Sequence, residues 1–205
     1  MTKAFVKVLI DSSGSMLHAK SATVAGYNNY VGTLDKDSTV SVAIFATPYG
    51  LKRIHTNVVP AYAKLNPDDY PCIGGTPLYD AIGRTIQEID TEAKEYDRVI
   101  LVIQTDGAET GESTEFTMDM VRKLLADKQE GEGWLVVFLG AGVDSMAQAA
   151  AIGIRRTTSA SYATGQSMQA FAAVSRSTAS YTMGSNRGEA IQNASFTDEE
   201  RNRIK

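Results

Sequence analysis

Four short apolar runs, Phe5–Ile10, Val40–Ala46, Arg98–Gln104 and Trp134–Leu139, punctuate this chain, and each is rich in Val, Ile, Leu or Phe. Runs of this length and character suit strands covered on both faces. Between them lie stretches with helical periodicity. Leu78–Ala93 is the plainest, with Leu78, Ala81, Ile82, Ile86 and Ile89 along one face. Thr114–Asp127 continues the pattern through Phe116, Met120, Val121, Leu124 and Leu125. Met16–Gly32 also reads as a helix, although Tyr27-Asn28-Asn29-Tyr30 is a mediocre helix-forming stretch. Strands alternating with helices predict parallel pairing through right-handed crossovers. The expected fold is α/β, a doubly wound, mostly parallel central sheet with helices on both faces.

Some segments depart from simple alternation. Leu51–His55 follows the turn residues Pro48-Tyr49-Gly50 and reads as a short antiparallel return strand at the sheet edge. Residues 56–73 then form a long irregular connection carrying Pro60, Pro67, Asp68, Asp69 and Pro71; a loop of that length in a compact domain is usually functional or mobile. After Gly140-Ala141-Gly142-Val143 come a helix-like Asp144–Ile152 and Gly153-Ile154-Arg155, expected as the last strand. Residues 158–185 are rich in Ser, Thr and Ala and suggest a weakly amphipathic closing helix through Met168, Phe171, Ala172 and Ser175. Thr197-x-x-Glu200 has the form of a capping box, with Phe196 placed as a hydrophobic staple, so a short terminal helix is expected. One domain over residues 1–185 and a tail over 186–205 result.

Composition narrows the function classes. The 205 residues are 43% hydrophobic and 21% charged, which fits one globular domain. The formal charge is −4 and no Lys/Arg run stands out, so neither nucleic acid nor a membrane surface is an expected partner. Cys72 is the single cysteine, which excludes an intramolecular disulfide and a Cys-rich zinc site. His18 and His55 have no Cys or His at ligand spacing. The Ala4–Ile10 run is interrupted by Lys7 and ends at Asp11, too short and too charged for a secretory signal. No later run approaches the ~20 apolar residues of a membrane span. A soluble, cytoplasmic protein is expected.

Three polar clusters stand where strands or connections would deliver them. They are Asp11-Ser12-Ser13-Gly14-Ser15 after the first strand, Gly74-Gly75-Thr76-Pro77 before the Leu78 helix, and Thr105-Asp106-Gly107 after the strand ending at Gln104. In a doubly wound sheet the carboxyl ends of strands flank a crevice where the strand order reverses. If the first strand and the 98–104 strand are neighbours there, Asp11, Ser13, Ser15, Thr76 and Asp106 converge. Two carboxylates and three hydroxyls are hard oxygen donors. They suit Mg²⁺ first, with Mn²⁺ or Ca²⁺ as alternatives, rather than Zn²⁺ or Cu²⁺.

Asp11-x-Ser13-x-Ser15 after an apolar strand, a distant Thr76 and then Thr105-Asp106-Gly107 resemble the metal-ion-dependent adhesion site of von Willebrand factor A domains. Gly74-Gly75-Thr76-Pro77-Leu78-Tyr79-Asp80-Ala81-Ile82 is similar to the corresponding stretch of bacterial, phage-like members, and Leu139-Gly140-Ala141-Gly142 followed by a helix and Gly153-Ile154 to the family's later strand-helix-strand segment. The resemblance covers roughly residues 3–157. It implies a Rossmann-like fold and a metal centre built from Asp11, Ser13, Ser15, Thr76 and Asp106, with the two serines binding the ion directly. It also implies a protein partner whose Asp or Glu completes the coordination sphere, and it admits an ATPase or other assembly component as that partner. An adaptor or adhesion module without catalysis is therefore expected. The alternatives are a structural subunit of a larger complex and, more remotely, a magnesium-dependent phosphohydrolase.

Neighbouring residues have plainer readings. Asp80, one helical turn after Thr76, is read as structural rather than as a ligand. Glu109 and Glu112 are read as solvated loop charges. Tyr49, Tyr62 and Tyr70 border the expected binding face, and Cys72 is read as a small semi-buried residue without an activating neighbour. Ser13 stands where a phosphohydrolase of this layout usually places a second acid, so Asp11 has no general acid beside it.

Overall fold

The structure is a computed structural model that describes residues 3–142 and 145–205. Six strands form one sheet: β1 (Ala4–Asp11), β2 (Thr39–Ala46), β3 (Gly50–Val58), β4 (Arg98–Thr105), β5 (Leu135–Ala141) and β6 (Ser159–Tyr162). Their order is β3-β2-β1-β4-β5-β6, with every neighbouring pair parallel except β2 and β3. The seven α-helices among the described residues are α1 (Lys20–Thr33), α2 (Leu78–Glu92), α3 (Met118–Ala126), α4 (Ser145–Ala151), α5 (Ser167–Met183), α6 (Arg187–Asn193) and α7 (Asp198–Arg203). Among the described residues no helix is long and apolar enough to cross a membrane.

Alternation along the central strands divides the core into two layers. Val6, Val8 and Ile10 of β1 join Val102 of β4 and Val137 of β5 beneath α1 and α5. Phe5, Leu9, Ile103 and Phe138 join α2 and α3 on the opposite side. Every residue of β1, β4 and β5 is buried, which is why these strands read as continuous apolar runs. Lys7 is buried with them. Its ammonium lies 2.7 Å from a Glu88 carboxylate oxygen and 3.7 Å from Glu92, both on α2.

α1 and α5 approach closely at Gly26, where an added Cβ would lie 2.8 Å from the Ser167 carbonyl oxygen. Tyr27 and Tyr30 pack their rings against Phe171 of α5. The mediocre helix formers of α1 thus serve its contacts.

The structure revises several expected boundaries. The 16–32 helix opens instead as a 3₁₀ segment, Gly14–Ala19, before α1 begins. α3 begins only at Met118, because the N–H groups of residues 114–116 bond to the Asp80 carboxylate. Gly153-Ile154-Arg155 is not a strand. Gly153 has φ +79°, its N–H bonds to Ala150, and Ile154 N–H bonds to Ala149, so this segment caps α4. The last strand is the polar β6, and α5 follows it. Val143 and Asp144, placed by sequence in a turn and at a helix start, lie outside the described residues. At the chain end α7 has the full capping box between Thr197 and Glu200.

Candidate metal centre

β1 and β4 are adjacent at the point where strand order reverses, pairing Ile10 with Gln104. Asp11 and Thr105 end these strands, so the loops 12–15 and 106–107 leave the sheet side by side. The third loop is tied to the first through its backbone. Gly14 N–H donates to Gly74 O at 2.9 Å, and Ile73 N–H donates to Ser12 O at 2.8 Å. Gly74 has φ +72°, and an added Cβ would lie 1.8 Å from Thr47 O, so the close approach requires glycine there.

The five candidate residues therefore gather on three joined loops. Ser13 Oγ lies 3.1 Å from Ser15 Oγ, and Ser15 Oγ donates to Asp106 Oδ1 at 2.7 Å. Asp11 Oδ1 accepts the Ser13 N–H at 2.7 Å, while its Oδ2 accepts Thr105 Oγ1 at 2.6 Å. Thr76 Oγ1 faces the 105–107 turn, 3.7 Å from where a Cβ on Gly107 would stand. Thr105, part of the third polar cluster but not among the candidate ligands, belongs to the site as well. Its hydroxyl also meets both the N–H and the carbonyl of Gly107, so one side chain fixes the Asp11 carboxylate and the turn after Asp106.

Burial, aided by the nearby Asp106, pushes the Asp11 carboxyl up to about 6 against the pull of hydrogen bonds from Thr105 and Ser13. Neither Asp11 nor Asp106 pairs with a Lys, Arg or His among the described residues. Two carboxylates held together without a counter-charge, one fully buried, make a site that favours a cation. Ser15 is exposed and Asp106 half-buried, so the cluster opens to solvent. No group of three His, Cys, Asp or Glu side chains is arranged for a metal among the described residues. The donor set thus depends on hydroxyls, and its all-oxygen chemistry fits a hard divalent ion.

Surrounding residues take definite structural roles. Asp80 accepts the N–H groups of Thr114, Glu115 and Phe116 at 2.9, 2.9 and 2.8 Å, which pins the 107–117 loop to α2. Glu109 is not a solvated loop charge. It accepts Tyr79 N–H in the first turn of α2, together with the N–H groups of Glu112 and Ser113 and the Ser113 hydroxyl. No local sequence signal marks this, because Tyr79 is 30 residues away. Glu112 is exposed, and its carboxylate covers Gly75 and accepts Thr110 Oγ1 at 2.8 Å. Tyr70 does not supply binding surface; it is fully buried and its hydroxyl donates to the Asp11 carbonyl. Tyr62 is 74% exposed. Cys72 is buried with φ +52°, and burial raises its thiol.

No protein-family model matches this sequence, and no curated protein matches it. Solved structures do. The von Willebrand factor domain of the type V pili tip protein Mfa5 from Porphyromonas gingivalis superposes with a TM-score of 0.71 at 10% identity, covering 90% of this chain and 98% of that one. The pilus adhesin SpaC from Lactobacillus rhamnosus GG gives 0.66 at 12% identity, over 83% of this chain and 30% of that one. The ArnB paralog VWA2 from Sulfolobus acidocaldarius gives 0.59 at 15% identity, over 86% and 45%. The chain spans less than half the length of the last two. At such identities likeness speaks for architecture. In its strand order, its single antiparallel edge strand and its flanking helices, this chain has the Rossmann-like von Willebrand factor A fold.

Proposed function

We propose that this chain is a metal-dependent protein-binding module, in which Asp11, Ser13, Ser15, Thr76 and Asp106 hold one divalent cation, Mg²⁺ in the first instance, at the carboxyl ends of β1 and β4. When bound, the ion would supply an open coordination position for an Asp or Glu carboxylate of a partner protein. The observation that carries this reading is the linked row Ser13 Oγ, Ser15 Oγ and Asp106 Oδ1, which brings residues 91 positions apart into hydrogen-bond contact at a solvent-open rim.

The chain's own residues have distinct parts. Asp11 supplies buried negative charge and is held by Ser13 N–H and Thr105 Oγ1, so both its oxygens are oriented before any cation arrives. Ser13 and Ser15 present neutral oxygens, which leave residual positive charge at the centre. With so few charged ligands, cation affinity without a partner falls in the weak range, about 10⁻⁴–10⁻³ M. The reading is one of binding rather than turnover, since Ser13 stands two residues after Asp11, where a phosphohydrolase of this layout places its general acid. Mfa5, a type V pili tip protein, and SpaC, a pilus adhesin, accord with a protein-binding use of this fold.

The test is partner capture with and without EDTA, repeated with Asp11→Ala. Capture that requires Mg²⁺ and fails in the variant, while the circular dichroism spectrum and melting hold, supports the reading. Capture that ignores both treatments removes it. If metal removal melts the domain but leaves capture by the remaining folded protein unchanged, the site is a structural staple.

A further inference from the structure

We propose that the free edge of β3 accepts an extended acidic segment of a partner protein as a seventh strand. The two edges of the sheet are treated differently. On the β6 side the chain's own tail ties down both ends of the strand. Ala163 N–H donates to Ile204 O, Phe196 N–H donates to Thr157 O, and the Arg201 guanidinium reaches the carbonyls of Arg156 and Thr157. On the β3 side nothing comparable is present among the described residues. β3 pairs only with β2 among the described residues, with register shifts between Val40 and Ala43 of β2, and the N–H and C=O groups on its other side face outward. β3 is nine residues long and contains no proline. Such a row is a template for another strand.

Charge selects the occupant. From Ser38 to Pro67 the sequence contains no Asp or Glu, yet it carries Lys52, Arg53 and Lys64. Lys52 and Arg53 are exposed on the strand, and neither Lys52 nor Lys64 meets a carboxylate among the described residues. A groove of about 610 Å³ runs beside β3, between Leu51 and Arg53 on one wall and Arg84, Glu88, Glu92 and Glu115 on the other. Its three acids are matched by three bases, Glu88 and Glu92 by Lys7 and Arg53 together and Glu115 by Arg84, which leaves Lys52 as the uncompensated charge on the strand among the described residues. A second copy of this chain paired antiparallel about Lys52 would set the two Lys52 ammonium groups against each other, and like charges across a strand pair are destabilising. An extended segment with carboxylates at alternate positions meets no such repulsion. The proposal does not depend on the candidate metal loops.

The experiment titrates the ¹⁵N-labelled chain, in EDTA, with the capped peptide Glu-Val-Glu-Val-Glu-Val-Glu, so that metal coordination by the peptide is excluded. Expected are amide shifts and slowed hydrogen exchange at residues 50–56. Methylating alternate peptide nitrogens should weaken binding by about tenfold or more, because strand addition uses backbone donors. Lys52→Glu, with unchanged melting, should weaken it by a similar factor of about ten and admit the Lys-Val counterpart. Absence of perturbation at 50–56, equal binding of the methylated peptide, or self-association of the chain through β3 would each overturn the proposal.

Discussion

The side-chain amide of Asn28 in α1 pairs with both backbone groups of Leu65, donating to its carbonyl at 3.0 Å and accepting its N–H at 2.8 Å. Beside it, the Tyr27 hydroxyl donates to Ala63 O at 2.7 Å. The connection after β3 contains little regular structure, so these bonds from α1 stand in for a ladder. Buried Tyr70 then carries the same connection beneath Asp11. The loop that delivers Gly74 to Gly14 is in this way set by residues that a helix would not choose for propensity.

Asn28→Ala removes both Leu65 bonds and leaves backbone groups to find water. At about 1 kcal/mol per net hydrogen bond, it should destabilise the domain by about 2 kcal/mol. Urea denaturation reads the loss, and hydrogen exchange should quicken most in residues 60–70. A loss spread evenly over the sheet would contradict this role.

Asp11→Asn should abolish stabilisation by Mg²⁺ while leaving the metal-free domain as stable as before, or more so, since the amide keeps the shape and removes a buried charge with no counter-ion. Thermal melts at pH 7, with EDTA and with millimolar Mg²⁺, separate the two effects. A variant that melts early in EDTA would show that Asp11 holds the loops by itself.

Gly74→Ala forces a Cβ into Thr47 O at a left-handed backbone position. The expected cost is above about 1 kcal/mol, because both strain and collision act. The 12–15 loop should loosen with it, since Gly14 bonds to the Gly74 carbonyl. Gly32→Ala, with nothing within 4 Å of the added Cβ, is the control and should leave stability nearly unchanged.

Acid should unfold the domain in part through Asp80 and Glu200. Burial pushes the Asp80 carboxyl up, but the N–H groups of Thr114, Phe116 and Glu115 together with Arg84 hold it below its usual value. Glu200 is likewise raised by burial and brought lower overall by Arg176 and Thr197. A carboxylate whose folded value lies below its unfolded one adds stability above the unfolded value, and that stability disappears as pH falls through the folded one. Stability should therefore decline below about pH 4. Asp80→Asn should flatten that decline when denaturant midpoints are followed from pH 7 to pH 3.

Much of the architecture was legible because the sheet is buried on both faces. β1, β2, β4 and β5 are nearly continuous apolar runs, and α2 has its apolar positions at helical spacing. β6 was not legible. Its Ser-Ala-Ser-Tyr has no apolar run, and it becomes a strand because β5 offers it a parallel edge and the tail closes over its ends. Gly153-Ile154 misled for the converse reason, since Ile154 is apolar to fill the core beside a helix cap.

The candidate ligands divide in the same way. Asp11-x-Ser13-x-Ser15 is one tight loop, so its chemistry is contained in five consecutive residues, and Thr76 and Asp106 stand at places that alternating strands and helices make predictable. Donor types, the parallel sheet and the end of the sheet at which the donors lie follow from local pattern and chain direction. Folding in three dimensions is what lets Thr105 hold Asp11, Glu109 cap α2, and Tyr70 and Asn28 fix the intervening loop. Each of those contacts joins groups that local pattern does not link, and a hydrogen bond is set by position in space, which periodicity along the chain does not encode.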